Sequence, residues 1–174
     1  VSLDIRILPA AEVPAELDRE IEALDRAAFV AAIHELPLQW SVPVWMVLGF
    51  HENRLVSQLC LVEREIKVGE EYVRVAGVGG VATYPEWRKH GFASQVLREA
   101  EACMREELKV PFGLLVCAEA TSPVYAKCGW QKVADGLYHR QGEERRWMDS
   151  CVMGLCLGEQ EWQGGEIDLC GLPW

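Results

Sequence analysis

The sequence predicts one domain of the α+β (mixed α/β) class, a twisted mixed central sheet flanked by helices, from three observations. Three apolar segments follow one another across short polar turns, which is typical of an antiparallel meander. An amphipathic helix comes next, and an apolar strand follows it, which indicates a strand–helix–strand crossover. The 174 residues have the size of one ordinary domain. We therefore expect residues 1–174 to form a single domain.

The first half of the chain can be divided by hydrophobic periodicity. Residues Leu3–Leu8 alternate as in a short strand, which Pro9 ends. Apolar residues then recur at helical spacing from Val13 to Ala31, which predicts an amphipathic helix. The segment His34–Pro43 holds two prolines without a clear period, so we expect an irregular lid or a short helical turn. The strands of the meander are predicted at Val44–Phe50, Leu55–Lys67 and Tyr72–Thr83.

The second half alternates helices and strands. Apolar residues spaced by three and four predict a helix from about Gly91 to Leu108. Pro123 near the start of Ser122–Cys128 predicts a short helix there, which Gly129 ends. Further strands are predicted at Phe112–Cys117, Gln131–Val133 and Trp147–Leu157. The charged run Glu143–Arg146 is interpreted as a solvated loop, and residues 158–174 show no pattern.

Charge and cysteine content narrow the class of partner. The formal net charge of -10 opposes a sequence-independent hold on nucleic acid or anionic membrane and favours a cationic substrate. Asp4 and Arg6 interrupt the first apolar stretch, and no apolar run approaches the length of a membrane span. The seven cysteines form no C-x-x-C pair, which predicts neither disulfides nor a metal site. We expect a cytoplasmic protein with reduced thiols.

The most informative stretch is a strand that runs into a turn and then a helix. The turn contains Arg88-x-x-Gly91-x-Ala93. Small residues at Gly91 and Ala93 let a phosphate approach the backbone, and a helix N-terminus offers unpaired N–H groups and the positive end of its dipole. A glycine at a helix start is by itself only a weak signal, because it is often a turn residue.

The features around this glycine resemble the acetyl-CoA motif of the GNAT superfamily of N-acetyltransferases. They are a strand ending in Val81-Ala82-Thr83, then Pro85, then the Arg-x-x-Gly-x-Ala turn, then an amphipathic helix. Downstream, Tyr125 before Gly129-Trp130 resembles the second signature of the family. The resemblance implies a GNAT-like acyl-CoA N-acyltransferase fold, with acetyl-CoA as co-substrate.

The resemblance also implies how acetyl-CoA is bound. Its phosphates would lie on the amides of the loop, and its pantetheine arm would pair with the preceding strand. That pairing requires the sheet to split between Tyr72–Thr83 and Phe112–Cys117, so that backbone groups remain for the ligand. The predicted cofactor-binding residues are Val81, Ala82, Thr83, Arg88, Lys89, His90, Gly91, Phe92 and Ala93.

Within the superfamily, the chain is most similar to the aminoglycoside 2′-N-acetyltransferases. This likeness rests on Val81-Ala82, Trp87-Arg88, Tyr125-Ala126, Gly129-Trp130 and Trp174. The chain departs from that branch at Gly79-Gly80, where the branch has an acidic residue before glycine, and at Ala31-Ala32, where it has an acidic lid residue. The acceptor class therefore stays open between an aminoglycoside, a polyamine and a protein N-terminus.

The acceptor is predicted to contact Glu35, Gly79, Gly80 and Trp174. Two consecutive glycines in a strand indicate a β-bulge, which frees a backbone N–H to polarise a thioester carbonyl. Close packing against a helix is the alternative explanation of this pair. The sequence predicts a small-molecule primary amine as partner and leaves a homodimer open.

Tyr125 is predicted to act as general acid, because a departing thiolate must be protonated and a nearby phenol can do this. The general base is less defined, and a chain of water molecules is one alternative to a side chain. Glu119 ranks first because it follows the strand that flanks the thioester. The other candidates are His34, Glu35, Glu63 and His139. Cys117 has no activating residue near it in sequence, which favours direct transfer over an acyl-enzyme.

A second function remains open. Gly79 replaces the carboxylate that the resemblance implies, which would suit a catalytically silent acyl-CoA-binding or sensor domain.

Overall fold

The computed structural model describes residues 2–29 and 38–174. The predicted site residues His34 and Glu35 lie outside these ranges, as does the pair Ala31-Ala32. Short 3-10 turns occur at Ala10–Glu12, Pro85–Trp87 and Glu119–Thr121. The other elements are, in order, β1 (Asp4–Pro9), α1 (Ala15–Ala28), β2 (Trp45–His51), β3 (Arg54–Val68), β4 (Glu71–Thr83), α2 (Phe92–Glu106), β5 (Phe112–Cys117), α3 (Ser122–Ala126), β6 (Gln131–Gln141), β7 (Glu144–Cys156) and β8 (Ile167–Asp168).

The strands form one mixed sheet in the order β1-β2-β3-β4-β5-β7-β6-β8. Strands β2, β3 and β4 are the predicted antiparallel meander, and α2 crosses over to β5, which lies parallel to β4. Strand β8 pairs with both β3 and β6, through Val68↔Ile167 and Tyr138↔Asp168. Strands β3, β4, β5, β7, β6 and β8 therefore close into a ring.

Helices cover both faces of the sheet, as the fold class predicts. On one face α2 buries Phe92, Val96 and Leu97, in a core cluster that also contains Tyr125 of α3. On the other face α1 buries Ile21 and Leu24 against β2, β3 and β4. The strands of the ring enclose a third apolar cluster. The expected α+β (mixed α/β) GNAT-like fold is confirmed.

The charged run after β6 differs from its sequence interpretation. Strand β6 continues to Gln141, well past the predicted end at Val133, and β7 begins at Glu144. The predicted loop Glu143–Arg146 was therefore wrong, since most of it belongs to β7. Arg145 pairs with acidic groups of the tail at Glu166 and Asp168, so this strand keeps its charges at the surface. Long-range pairing outweighs the local polarity here.

The structure bears on membrane association only through its helices. Over residues 2–29 and 38–174, none of them has both the length and the apolar character needed to cross a bilayer.

Candidate active site

The site begins where β4 and β5 separate. The two strands pair at only three positions, Val75↔Phe112, Ala76↔Gly113 and Gly77↔Leu114. Beyond them, residues 78–83 of β4 and 115–117 of β5 diverge, and in the described sheet this edge of β4 has no partner on β5. The predicted split is confirmed. It leaves backbone donors and acceptors free for an extended ligand.

A bulge lies in β4 directly after the split. Cys60 of β3 pairs with Gly79 and Gln58 pairs with Ala82, so one extra residue is inserted in β4. Gly80 has a φ of 57°, in the left-handed region that favours glycine. The predicted bulge is therefore present, and it turns backbone groups out of the ladder.

Close packing also explains these glycines, although the partner is Trp174 and not a helix. A Cβ on Gly79 would lie 2.7 Å from the backbone carbonyl carbon of Trp174, and one on Gly77 would overlap its indole. The indole Nε1 donates to the carbonyl of Leu114 at 3.2 Å, at the last paired position of β5. Three of the four predicted acceptor residues, Gly79, Gly80 and Trp174, thus lie together at the apex of the split.

The loop after β4 leaves the start of α2 open. Lys89 and Gly91 both have positive φ, 65° and 78°, which turns the chain sharply into the helix. Gly91 is the N-cap residue, and no described side chain caps the helix there. The first N–H groups of α2 consequently have no acceptor within the helix and are available to an anion.

Side chains of the loop hold its shape. Arg88 donates from Nε to the carbonyl of Thr83 and from Nη2 to that of Ala28, both at 3.3 Å, which ties the loop to the ends of β4 and α1. His90 Nδ1 lies 2.9 Å from the carbonyl of Arg88, and its ring contacts those of Trp87 and Phe92. The amides, not these two side chains, remain open to a phosphate.

Tyr125 lies on α3 beside the end of β5. Its side chain is 9% exposed and belongs to the core cluster of the α2 face. Burial, with a smaller contribution from Cys117, raises the pKa of Tyr125 to about 12. The phenol is therefore neutral at physiological pH and carries a proton that it can donate.

Glu119 is exposed and forms an ion pair with Lys132 at 3.0 Å. Its charge contributes to the raised pKa values of the thiols of Cys117 and Cys151, so it lies near the end of β5. Of the other candidates within the described residues, Glu63 lies opposite Ala76 in the β3–β4 ladder, just before the split. Glu63 forms an ion pair with Arg74, and His139 is buried in β6, three strands from β4.

The sequence analysis missed a polar pair on the α1 face of the bulge. Gln58 of β3 is 1% exposed, and its Nε2 donates to Oδ1 of Asp25 on α1 at 2.8 Å. Next to them on β3, Cys60 contacts the bulge, with its Sγ 3.8 Å from the position of a Cβ on Gly80. A signal existed in the sequence, because Ser57 and Gln58 interrupt the otherwise apolar run from Leu55 to Leu61.

A comparison with protein families decides what this arrangement is. The model of the Acetyltransferase (GNAT) domain family matches residues 39–133, more than half of the chain. The chain belongs to this family. The GNAT domain is accordingly an acyltransferase, and the matched range spans the split, the bulge, the loop and Tyr125.

Solved structures agree with this GNAT fold. ElaA from Escherichia coli is 14% identical, with a TM-score of 0.66 over 88% of this chain and 99% of that chain. The E. coli GNAT family N-acetyltransferase YhbS, solved in complex with CoA, is 16% identical, with a TM-score of 0.66 over 98% and 91% of the two chains. An acyl-CoA N-acyltransferase from Pseudomonas aeruginosa is 16% identical, with a TM-score of 0.63 over 89% and 100%. No curated protein sequence matches this GNAT domain.

Proposed function

We propose that this GNAT domain transfers the acetyl group of acetyl-CoA to a primary amine of a small, cationic acceptor, directly within a ternary complex. The observation that carries the proposal is the split between β4 and β5 next to the uncapped start of α2. The extended pantetheine arm, which bears amides, fits the split between the strands, and the diphosphate fits the start of α2.

The residues suit acetyl-CoA in detail. Val81, Ala82 and Thr83 offer backbone groups to the pantetheine amides along the free edge of β4. The amides from Arg88 to Ala93 take the diphosphate, with Lys89, His90, Gly91 and Phe92 between them. The CoA in the structure of YhbS supports this assignment by analogy.

Two groups of the chain act on the reacting atoms. When bound, acetyl-CoA supplies an activated acetyl group as a thioester. The bulge at Gly79-Gly80 directs a backbone N–H toward the thioester carbonyl, which favours attack by the amine. As the new C–N bond forms and the C–S bond breaks, Tyr125 gives its proton to the departing thiolate. Glu119 stays a predicted base, although Lys132 already engages its carboxylate.

The acceptor is proposed to be cationic because the domain carries a net charge of -10. Gly79, Gly80 and Trp174 would form the floor of its site, and Glu35, which lies outside the described residues, stays a predicted contact. An aminoglycoside, a polyamine and a protein N-terminus all remain candidates, and membership of the 2′-N-acetyltransferase branch stays a prediction.

A thiol-release assay tests the function. The purified protein is mixed with acetyl-CoA and a panel that contains kanamycin B, which has a 2′-amine, spermidine and a tripeptide with a free N-terminus. We expect free CoA and an N-acetylated product with at least one amine. Tight binding of acetyl-CoA without turnover across a broad panel would instead support the silent acyl-CoA-binding or sensor domain.

A further inference from the structure

Asp25 differs from the other acidic residues of α1. Glu16, Asp18, Glu20 and Glu22 point to solvent, and Glu22 forms an ion pair with Arg26. Asp25 instead turns toward the sheet and is partly buried. Among the described residues it forms no ion pair. A carboxylate held partly out of water without a cationic partner is costly, so this position favours a cationic ligand.

The contact with Gln58 fixes the orientation of Asp25. The amide Nε2 donates to Asp25 Oδ1 at 2.8 Å and lies 3.4 Å from the carbonyl of Ile21. The amide oxygen Oε1 of Gln58 is buried and has no hydrogen-bond partner in the described part of the chain. A buried amide that leaves its own oxygen unsatisfied is a poor structural element, since an apolar side chain would fill the same space without that loss.

The pair lies next to the reacting centre. Gln58 and Cys60 lie opposite the two ends of the bulge, and the Sγ of Cys60 is 3.4 Å and 3.8 Å from the Cβ positions of Gly79 and Gly80. Burial and, second, the charge of Asp25 raise the pKa of the Cys60 thiol to about 11. Asp25 therefore acts electrostatically on a group in contact with the bulge.

The pair and Tyr125 belong to opposite faces of the sheet. Ala82 at the end of β4 packs in the cluster of the α1 face, whereas Tyr125 packs in the cluster of the α2 face. An amine that approaches along α1 would reach the thioester from the α1 side of the sheet, whereas the phenol of Tyr125 would reach the sulfur from the α2 side. The amine and the general acid would thus not compete for the same space, and the amine could add to one face of the planar thioester carbonyl.

We propose that Asp25 binds the ammonium group of the acceptor on the α1 side of the bulge and removes its proton, with Gln58 as the positioning residue. The inference rests on the proposed acetyl transfer. Asp25 takes one proton from R–NH3+ and passes it to solvent. The nitrogen loses a second proton as the C–N bond forms, which replaces the proton that Tyr125 gives to the thiolate. The products are one amide, one thiol (free CoA) and one proton released to solvent.

The charged and titratable groups around Asp25 suit this role. They are Glu22 on α1, Cys60 on β3, and Tyr84 and Arg88 at the end of β4. Burial raises the pKa of Asp25, the bond from Gln58 lowers it, and the charge of Glu22 raises it. Because burial is the largest of these effects, the carboxylate is a better proton acceptor than an exposed aspartate.

The test uses the amine that the thiol-release assay identifies as the best acceptor among kanamycin B, spermidine and the tripeptide. Asp25→Asn keeps the shape and the acceptor atom for Gln58. We expect it to lower kcat/KM for the amine by about a hundredfold or more, with unchanged acetyl-CoA affinity by calorimetry. The acidic limb of the pH profile that Asp25 causes should disappear. Glu20→Gln is the matched control, since it removes one negative charge from an exposed site of the same helix, and it should stay within about twofold.

Two further measurements separate a chemical role from a structural one. Gln58→Met removes the donor to Asp25, so it should move the acidic limb to higher pH. Asp25→Asn should unfold at a urea concentration no lower than the wild type at pH 7. Because the pKa of Asp25 is raised in the folded protein, ionisation of its carboxyl group lowers the stability of the fold as the pH rises. Asparagine does not ionise, so the variant avoids this loss of stability.

The outcomes keep the two proposals apart. Absence of wild-type turnover with every amine would overturn the proposed acetyl transfer and this inference with it. Wild-type turnover together with an unchanged rate in Asp25→Asn would overturn only the role of Asp25. A rate loss in Asp25→Asn that accompanies a matching loss of stability, with an unchanged pH profile, would reduce the pair to a structural contact.

Discussion

A phenol can donate a proton only while it remains neutral, and the burial of Tyr125 extends the pH range over which it does so. With a pKa of about 12, its protonated form dominates at every pH at which the enzyme can be assayed. Tyr125→Phe keeps the ring packing and removes only the hydroxyl. We expect kcat to fall by about a hundredfold or more, the usual contribution of a positioned general acid, with unchanged acetyl-CoA affinity.

The pH profile gives this prediction a second readout. The wild type should show no alkaline loss of kcat from Tyr125 below about pH 11, because that limb follows the pKa of Tyr125. Tyr138→Phe is a suitable control, since Tyr138 contacts Trp147 on β6 and β7, outside the site. Wild-type turnover in Tyr125→Phe would remove the phenol from the mechanism.

Local sequence makes Tyr125 a candidate but not Asp25. Tyr125 lies within a sequence signature, so a local resemblance is enough to propose it as the general acid. Asp25 follows the charged pattern of α1, and its difference from Glu22 arises only when the helix is docked on β3. A small rotation of the helix about its axis decides whether a carboxylate faces water or the sheet. Sequence periodicity does not determine the rotation of a helix this accurately.

At the scale of elements, the loop before α2 can be tested at Gly91. With φ at 78°, every other residue is strained there by about 1–2 kcal/mol, although a Cβ would meet no described atom within 4 Å. Gly91→Glu and Gly91→Gln share this strain and nearly the same size. We expect the glutamate variant to bind acetyl-CoA at least about tenfold more weakly by calorimetry, because only it places an anion next to the diphosphate.

The comparison of Gly91→Glu with Gly91→Gln also excludes a loss of folding as the cause of weaker binding. A negative charge at a helix N-terminus stabilises the helix, so weaker binding by Gly91→Glu would not reflect a poorer fold. Equal affinity of the two variants would show that the phosphates bind elsewhere.

The end of the chain as described packs into the ring through one aromatic side chain. Trp174 fills the space that glycine leaves at position 77 and is 6% exposed. Gly77→Ala would displace the indole from Leu114, and we expect a loss of about 1–3 kcal/mol in urea unfolding, the usual cost of overpacking. Gly158→Ala, where a Cβ would meet no described atom within 4 Å, should change stability by less than about 0.5 kcal/mol. Equal stability of both variants would contradict the packing role of Trp174.

The elements differ in how far local sequence determines them. The meander and α2 could be predicted because short turns and one apolar face define them locally. The ring closure through β8 could not, since Ile167 pairs with Val68 across about a hundred residues and has no strand pattern around it. The two glycines of β4 indicated a bulge in the sequence. Their contact with Trp174 could not be predicted, because it depends on the closure of the ring.

For the whole molecule, charge and site geometry make one joint prediction. The net charge is -10, and α1, which borders the proposed acceptor side, carries five acidic residues and two arginines. This field would concentrate a cationic acceptor, and salt would screen it over a Debye length of about 8 Å at 0.15 M ionic strength.

We expect kcat/KM for the amine to fall as sodium chloride rises from about 0.02 to 0.3 M, mainly through KM, at saturating acetyl-CoA. The decline should be steeper for spermidine, with its three charges, than for a monoamine, because steering scales with charge. Salt-independent kinetics with a polycationic acceptor would show that the charge of the domain serves solubility and not substrate capture.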